Sequence, residues 1–200
     1  MLFQTALRLI GIACIAGLIN PPALAAAPDK PPTLTAAQLQ SWLPKLRQGG
    51  YVFYFRHAAT DMFQLDDHPT VGDCTTQRNL SDEGKDQALA IGRAFRSQNI
   101  PVGMVLSSPF CRCVETAQLA FGKSTVEDSL FFATRLSAEE RNNNAKRLRN
   151  LMAKRPNPGS NTVIVAHNAN LMEAYGIWPD EEGDAYLYKP SGADPGAPLA

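Results

Sequence analysis

Three short apolar runs, each followed at once or within a few residues by an arginine or a histidine, constrain this chain more than anything else in it. Tyr51-Val-Phe-Tyr-Phe55 runs into Arg56-His57. Val102 to Leu106 runs into Ser107-Ser-Pro109, with Arg112 just beyond, and Thr162-Val-Ile-Val-Ala166 runs into His167. Runs of this length, separated by segments of helical periodicity, read as buried strands of a mainly parallel sheet with helices on both faces. Such sheets bind ligands at the carboxyl edge of their strands. Three strands would then aim Arg56, His57, Arg112 and His167 at one point. Two guanidinium forks and two imidazoles suit a group of anionic oxygens such as a phosphoryl.

The segments between the runs complete an α/β three-layer sandwich. Thr35 is the expected N-cap of a helix over 36–48, stopped by Gly49-Gly50. Ser81 caps a helix over 82–98 whose apolar face carries Ala88, Ile91, Ala94 and Phe95. Pro109 suits the first turn of a helix over 109–121, which places Arg112 near a helix N-terminus. Thr125 to Glu127 reads as a short strand, and Ser137-Ala-Glu-Glu140 as a capping box opening a helix over 138–154. Asn168 opens a helix to about 175, and 185–188 is a last strand. Residues 58–79 lack periodicity and hold Asp61, Asp66, Asp67, His68 and Asp73. A loop of that length suggests a lid.

The ends lie outside this pattern. Leu9 to Ile19 is apolar, follows Arg8, and is too short to span a bilayer; Ala23-Leu24-Ala25 then offers a small-x-small site. Residues 1–25 read as a signal peptide cleaved after Ala25, with Ala26 or Ala27 as alternatives. Lipidation at Cys14 is a competing reading that Gly11-Ile12-Ala13 fits poorly. Residues 26–34 are a linker, 35–190 one domain, and 191–200 a Pro/Gly-rich tail expected to be mobile. A periplasmic or secreted protein follows, with no membrane span after cleavage. The whole chain balances 19 Lys and Arg against 19 Asp and Glu. Cleavage removes only Arg8 and leaves a charge of −1, which gives no footprint for nucleic acid or acidic membranes.

Export would make Cys74, Cys111 and Cys113 competent for one disulfide, with one thiol left over. Cys74–Cys111 and Cys74–Cys113 both staple the long loop beside the proposed site. Residues 111 and 113 point different ways on a helix, and Cys111 is favoured. No Cys/His spacing of zinc type is present, and no metal or organic cofactor is expected.

Tyr54-Phe-Arg-His-Ala58, Ser107-Ser-Pro-Phe-Cys-Arg112 with Glu115-Thr-Ala117, and Val165-Ala-His167 together resemble the histidine phosphatase superfamily, of phosphoglycerate mutase-like fold. The resemblance spans roughly residues 50–190. It departs mildly at Ala58, where the family pattern has glycine. The resemblance implies hydrolysis of a phosphomonoester, with His57 as the nucleophile that becomes a phosphohistidine. Arg56 and Arg112 would clamp the phosphoryl oxygens, and a protonated His167 would donate to the same oxygens. Asn168 either touches the phosphate or caps its helix, and His68 is a possible substrate contact from the loop. Many members carry a glutamate as proton donor about two dozen residues after the second arginine. Here that stretch is Leu130-Phe-Phe-Ala-Thr-Arg-Leu136, without a carboxylate. Asp61, Asp184, Glu139 and Glu140 remain as candidates, the first two ahead. The expected substrate is a phosphorylated small molecule or an envelope glycolipid headgroup. A phosphohistidine protein, and a non-catalytic phosphate-binding module, are the alternatives.

Overall fold

The computed structural model describes residues 33–192 and Leu199. The expected signal peptide, its cleavage site, Cys14, most of the linker and most of the tail lie outside the described residues. The elements are α1 (Ala36–Gln48), β1 (Val52–Arg56), α2 (Asp82–Ser97), β2 (Val102–Ser107), α3 (Cys111–Phe121), β3 (Thr125–Val126), α4 (Ala138–Ala153), β4 (Asn161–Ala166), α5 (Asn168–Tyr175) and β5 (Ala185–Tyr188). The five strands order as β3-β2-β4-β1-β5, parallel except for β5, which runs antiparallel to β1 along one edge.

Alternation along the strands builds the two cores. Val52 and Tyr54 of β1, with Ile164 and Ala166 of β4, face Leu148 and Met152 of α4 and Leu171 of α5. Phe53 and Phe55, with Val163 and Val165, face the other way onto Leu46 of α1, Phe95 of α2 and Ala117 and Phe121 of α3. Strands buried on both faces explain why these runs are apolar throughout rather than alternating.

Capping chemistry sets the helix starts. Thr35 with Gln38, and Ser137 with Glu140, form complete capping boxes, and Ser81 accepts from the Gly84 N–H. Helix α3 begins at Cys111 rather than at Pro109, because Phe110 is its N-cap and is still extended. At the amino edge of the sheet, buried Asn161 ties three segments together. Its amide accepts from the Tyr51 N–H and donates to the Leu46 and Pro101 carbonyls. The Leu199 N–H donates to the Leu187 carbonyl. Among the described residues no helix is long and apolar enough to cross a membrane.

Candidate active site

The carboxyl ends of β1, β2 and β4 lie side by side, so the residues that follow them share one edge. His57 and His167 meet edge to face with ring centroids 5.4 Å apart, and both are almost fully buried. His57 Nδ1 lies 2.9 Å from the Ala58 carbonyl. A carbonyl only accepts, so Nδ1 carries the proton and Nε2 keeps a free lone pair. Ala58 needs no left-handed backbone; its N–H donates to Thr116 Oγ1, which in turn donates to the Arg112 carbonyl. The Glu115-Thr-Ala117 motif thus fastens the loop after His57 to α3.

Both imidazoles are held neutral. Burial pushes the His57 and His167 pKa values well down, and the Arg112 guanidinium pushes them further. The expectation of a cationic His167 therefore does not describe the free site. Desolvation and neighbouring cations both penalise a proton there. His167 Nε2 bonds Ser108 Oγ at 2.9 Å, and the Phe132 ring lies over the imidazole at 4.6 Å. Phe132 thus supplies an aromatic wall beside His167, where the sequence resemblance implied a proton donor.

Arg112 has no exposed surface and lies over Phe110, 4.7 Å from its ring centre. Its Nη1 meets Asp66 Oδ2 at 3.1 Å, while Nε and Nη2 are buried without partners. Arg56 sends Nη1 to the Asp180 carbonyl and Nη2 to Glu182, and its Nε is likewise buried and unpaired. A third guanidinium, Arg78, joins them from the long loop. Its Nη2 is 3.9 Å from Glu182, its Nε is buried without a partner, and its charge acts on both histidines. Buried unpaired donors whose charges act on two neutral imidazoles suit an anion.

Sequence reasoning missed Arg78 and Glu182. Arg78 stands in an aperiodic loop, and nothing local marks it. Glu182 is two residues from the favoured Asp184, in a segment that returns to the end of β1. There the Asp184 carbonyl accepts from the Arg56 N–H, and the Gly183 N–H donates to the His57 carbonyl. Gly183 has φ +89°, which turns the chain so that the two carboxylates do not share a face. Glu182 faces inward, accepting from Thr60 N–H and Oγ1 and pairing with Arg56. Asp184 faces outward, and its carboxylate accepts from the Glu181 N–H.

The other candidates have their side chains bonded elsewhere or exposed. Asp61 turns onto its own loop, accepting from Phe63 N–H and Gln64 Nε2. Glu139 is exposed, and Glu140 completes the α4 capping box. His68 is exposed on the loop. Asn168 folds back on its helix start, where Oδ1 accepts from the Ala169 N–H. Cys74 and Cys111 are disulfide-bonded, the pairing favoured from sequence. Cys113 is the leftover thiol. It is buried against His167, and burial pushes its pKa up to about 12, which keeps it protonated and unreactive.

Comparison with known proteins agrees with this architecture. The family model "Histidine phosphatase superfamily (branch 1)" matches residues 52–130, which hold β1, the loop, α2, β2 and α3. Among curated proteins no sequence matches. Among solved structures, an open reading frame product of Mycobacterium tuberculosis aligns with TM-score 0.52 at 17% identity. That alignment covers 74% of this chain and 93% of that one. A phosphoserine phosphatase of Entamoeba histolytica, solved in complex with 3-phosphoglyceric acid, aligns with TM-score 0.50 at 15% identity, covering 69% and 89%. At these identities the likeness is one of fold.

Proposed function

We propose that the chain, whose motifs and fold are like those of the histidine phosphatase superfamily, is a phosphatase working through a phosphohistidine on His57. One observation carries the proposal. Three guanidinium groups with unpaired buried nitrogens surround a neutral imidazole whose Nδ1 proton is fixed by the Ala58 carbonyl. The free Nε2 lone pair attacks phosphorus, the bond to the ester oxygen breaks, and that oxygen leaves with a proton. Arg56, Arg78 and Arg112 hold the equatorial oxygens as charge spreads over them. His167 is neutral before binding and offers one N–H, or takes a proton when the dianion arrives. Water then attacks phosphorus, the P–N bond breaks, and inorganic phosphate leaves a neutral His57.

The substrate class is a phosphorylated small molecule. The site selects a phosphoryl group, and nothing in it selects an envelope glycolipid headgroup over other phosphomonoesters. A phosphohistidine protein is the second reading, favoured by the aromatic character of 130–136, since expelling an imidazole demands less of an acid. Export is part of the proposal, and the Cys74–Cys111 bridge is compatible with an oxidising compartment.

The test uses 4-nitrophenyl phosphate, whose good leaving group needs little acid help. Wild-type protein is expected to release phosphate from it and to carry radioactive phosphate from labelled substrate, while His57→Ala takes up no label. Vanadate binding without phosphate release would make the protein a binding module instead. Label retained in His57→Ala would move the nucleophile elsewhere.

A further inference from the structure

Resting on that reading, we propose that Asp66 is the proton donor for the leaving oxygen. The segment where many family members carry an acid supplies Phe132 here, and Asp61, Asp184, Glu139 and Glu140 point elsewhere. Two carboxylates do reach the arginine cradle, Asp66 and Glu182.

In-line displacement chooses between them. Nucleophile, phosphorus and leaving oxygen lie roughly on one line, so the acid belongs on the far side of phosphorus from His57 Nε2. Glu182 lies 3.9 Å from Nδ1, behind the imidazole. It is further occupied by Thr60 and two arginines. Asp66 is on Arg112, a guanidinium whose free Nε and Nη2 would take phosphoryl oxygens while Nη1 holds the carboxylate. One rigid fork thus sets the carboxyl beside the phosphoryl group.

The carboxylate is aimed and yet reachable. The Arg78 N–H donates to Oδ1 at 2.9 Å, which turns Oδ2 toward Arg112. Arg135 Nη2 bonds the Asp66 carbonyl and lies 4.0 Å from Oδ2, and Nη1 bonds the Asp67 carbonyl, which fixes the backbone at these two residues. The side chain keeps 14% of its surface open, a route for exchange with water. A phosphoryl dianion on Arg112 sets two like charges against each other, and a proton on the Asp66 carboxyl relieves that repulsion. The carboxyl gives this proton to the ester oxygen as the P–O bond breaks. The resulting carboxylate takes a proton from the water that attacks phosphohistidine, which restores the starting state.

The experiment compares kcat and KM for 4-nitrophenyl phosphate and glycerol phosphate in wild type, Asp66→Asn and Asp66→Glu. Asp66→Asn is expected to lose about 100-fold in kcat on the alkyl ester and less than about tenfold on the aryl ester. Asp66→Glu, which keeps an acid, should recover part of the alkyl rate. Each alkyl-to-aryl ratio is read within one preparation, so a partly folded variant does not distort it. Equal losses on both esters, or a raised KM with the ratio unchanged, would reduce Asp66 to a tether for Arg112 and overturn the assignment. Wild-type protein that turns over neither ester would sink the phosphatase reading itself, and the assignment with it.

Discussion

His57 has a single nitrogen to offer because the Ala58 carbonyl occupies the other, and burial, reinforced by the surrounding cations, keeps that nitrogen unprotonated. Arg78 is one of those cations. Arg78→Met should raise the pKa of both imidazoles, since a like charge is removed. NMR titration of the ring protons would show the upward move, and vanadate inhibition should weaken by about tenfold or more with the loss of a charged donor. Titrations unchanged by the substitution would place Arg78 outside the cradle. Glu182→Gln makes a contrasting case. It loosens Arg56 and Arg78 together, so KM for 4-nitrophenyl phosphate should rise about tenfold with the alkyl-to-aryl ratio held. A changed ratio would make Glu182 an acid. Arg56, His57, Arg112 and His167 were legible because each follows an apolar strand, and strand ends converge in any parallel sheet. Arg78, Asp66 and Glu182 were not, since tertiary ties and one left-handed glycine place them.

Helices and strands were the most legible level, because their signals are local. The bounds of α1, α5 and β5 fall where caps and apolar runs put them, while α3 starts two residues late because the chain stays extended through Phe110. Close approach between elements was invisible by comparison. Helix α2 meets the loop after β1 at Gly84, where a Cβ would overlap the Ala59 carbonyl. Gly84→Ala should therefore cost about 1–3 kcal/mol in urea unfolding, and should also lower turnover by displacing the Ala58–Thr60 backbone. Stability unchanged within error would mean that α2 can shift freely. Asn161→Ala should cost about 2 kcal/mol by stranding the buried Tyr51 N–H, yet leave kcat alone. A large fall in kcat would show that the two sheet edges are coupled.

At the scale of the molecule, one covalent bond ties the long loop to the start of α3. The Cys74–Cys111 bridge spans a separation of 37 residues, for which loop-closure entropy gives about 4 kcal/mol. It also fastens the segment bearing Asp66 and Arg78 beside Arg112. The Cys74→Ser, Cys111→Ser double variant should lose a few kcal/mol of stability and show a higher KM, read by urea unfolding and steady-state kinetics. Full activity without the bridge would mean that noncovalent ties, such as Asp66 to Arg112 and Arg78 to Glu182, hold the loop unaided. Acidity acts on the same whole. Both histidines have folded pKa values below the unfolded value of about 6.5. Their contribution to stability is complete above about pH 6.5 and is lost as pH falls toward the lower folded values, because the unfolded chain takes up protons the folded one refuses. Urea midpoints should drop from pH 7.5 to 5.5, and His57→Gln should flatten that drop.

The polarity of the sheet has a practical corollary. Strand β4 begins at Asn161 and ends beside His167, so roughly 17 Å of backbone separates foundation from chemistry. A dye, affinity handle or solid support attached at exposed Lys45 or Arg47, next to the foundation, would anchor the molecule with the carboxyl edge of the sheet turned away from the support. Immobilised in that orientation, the molecule remains open to whatever diffuses toward it.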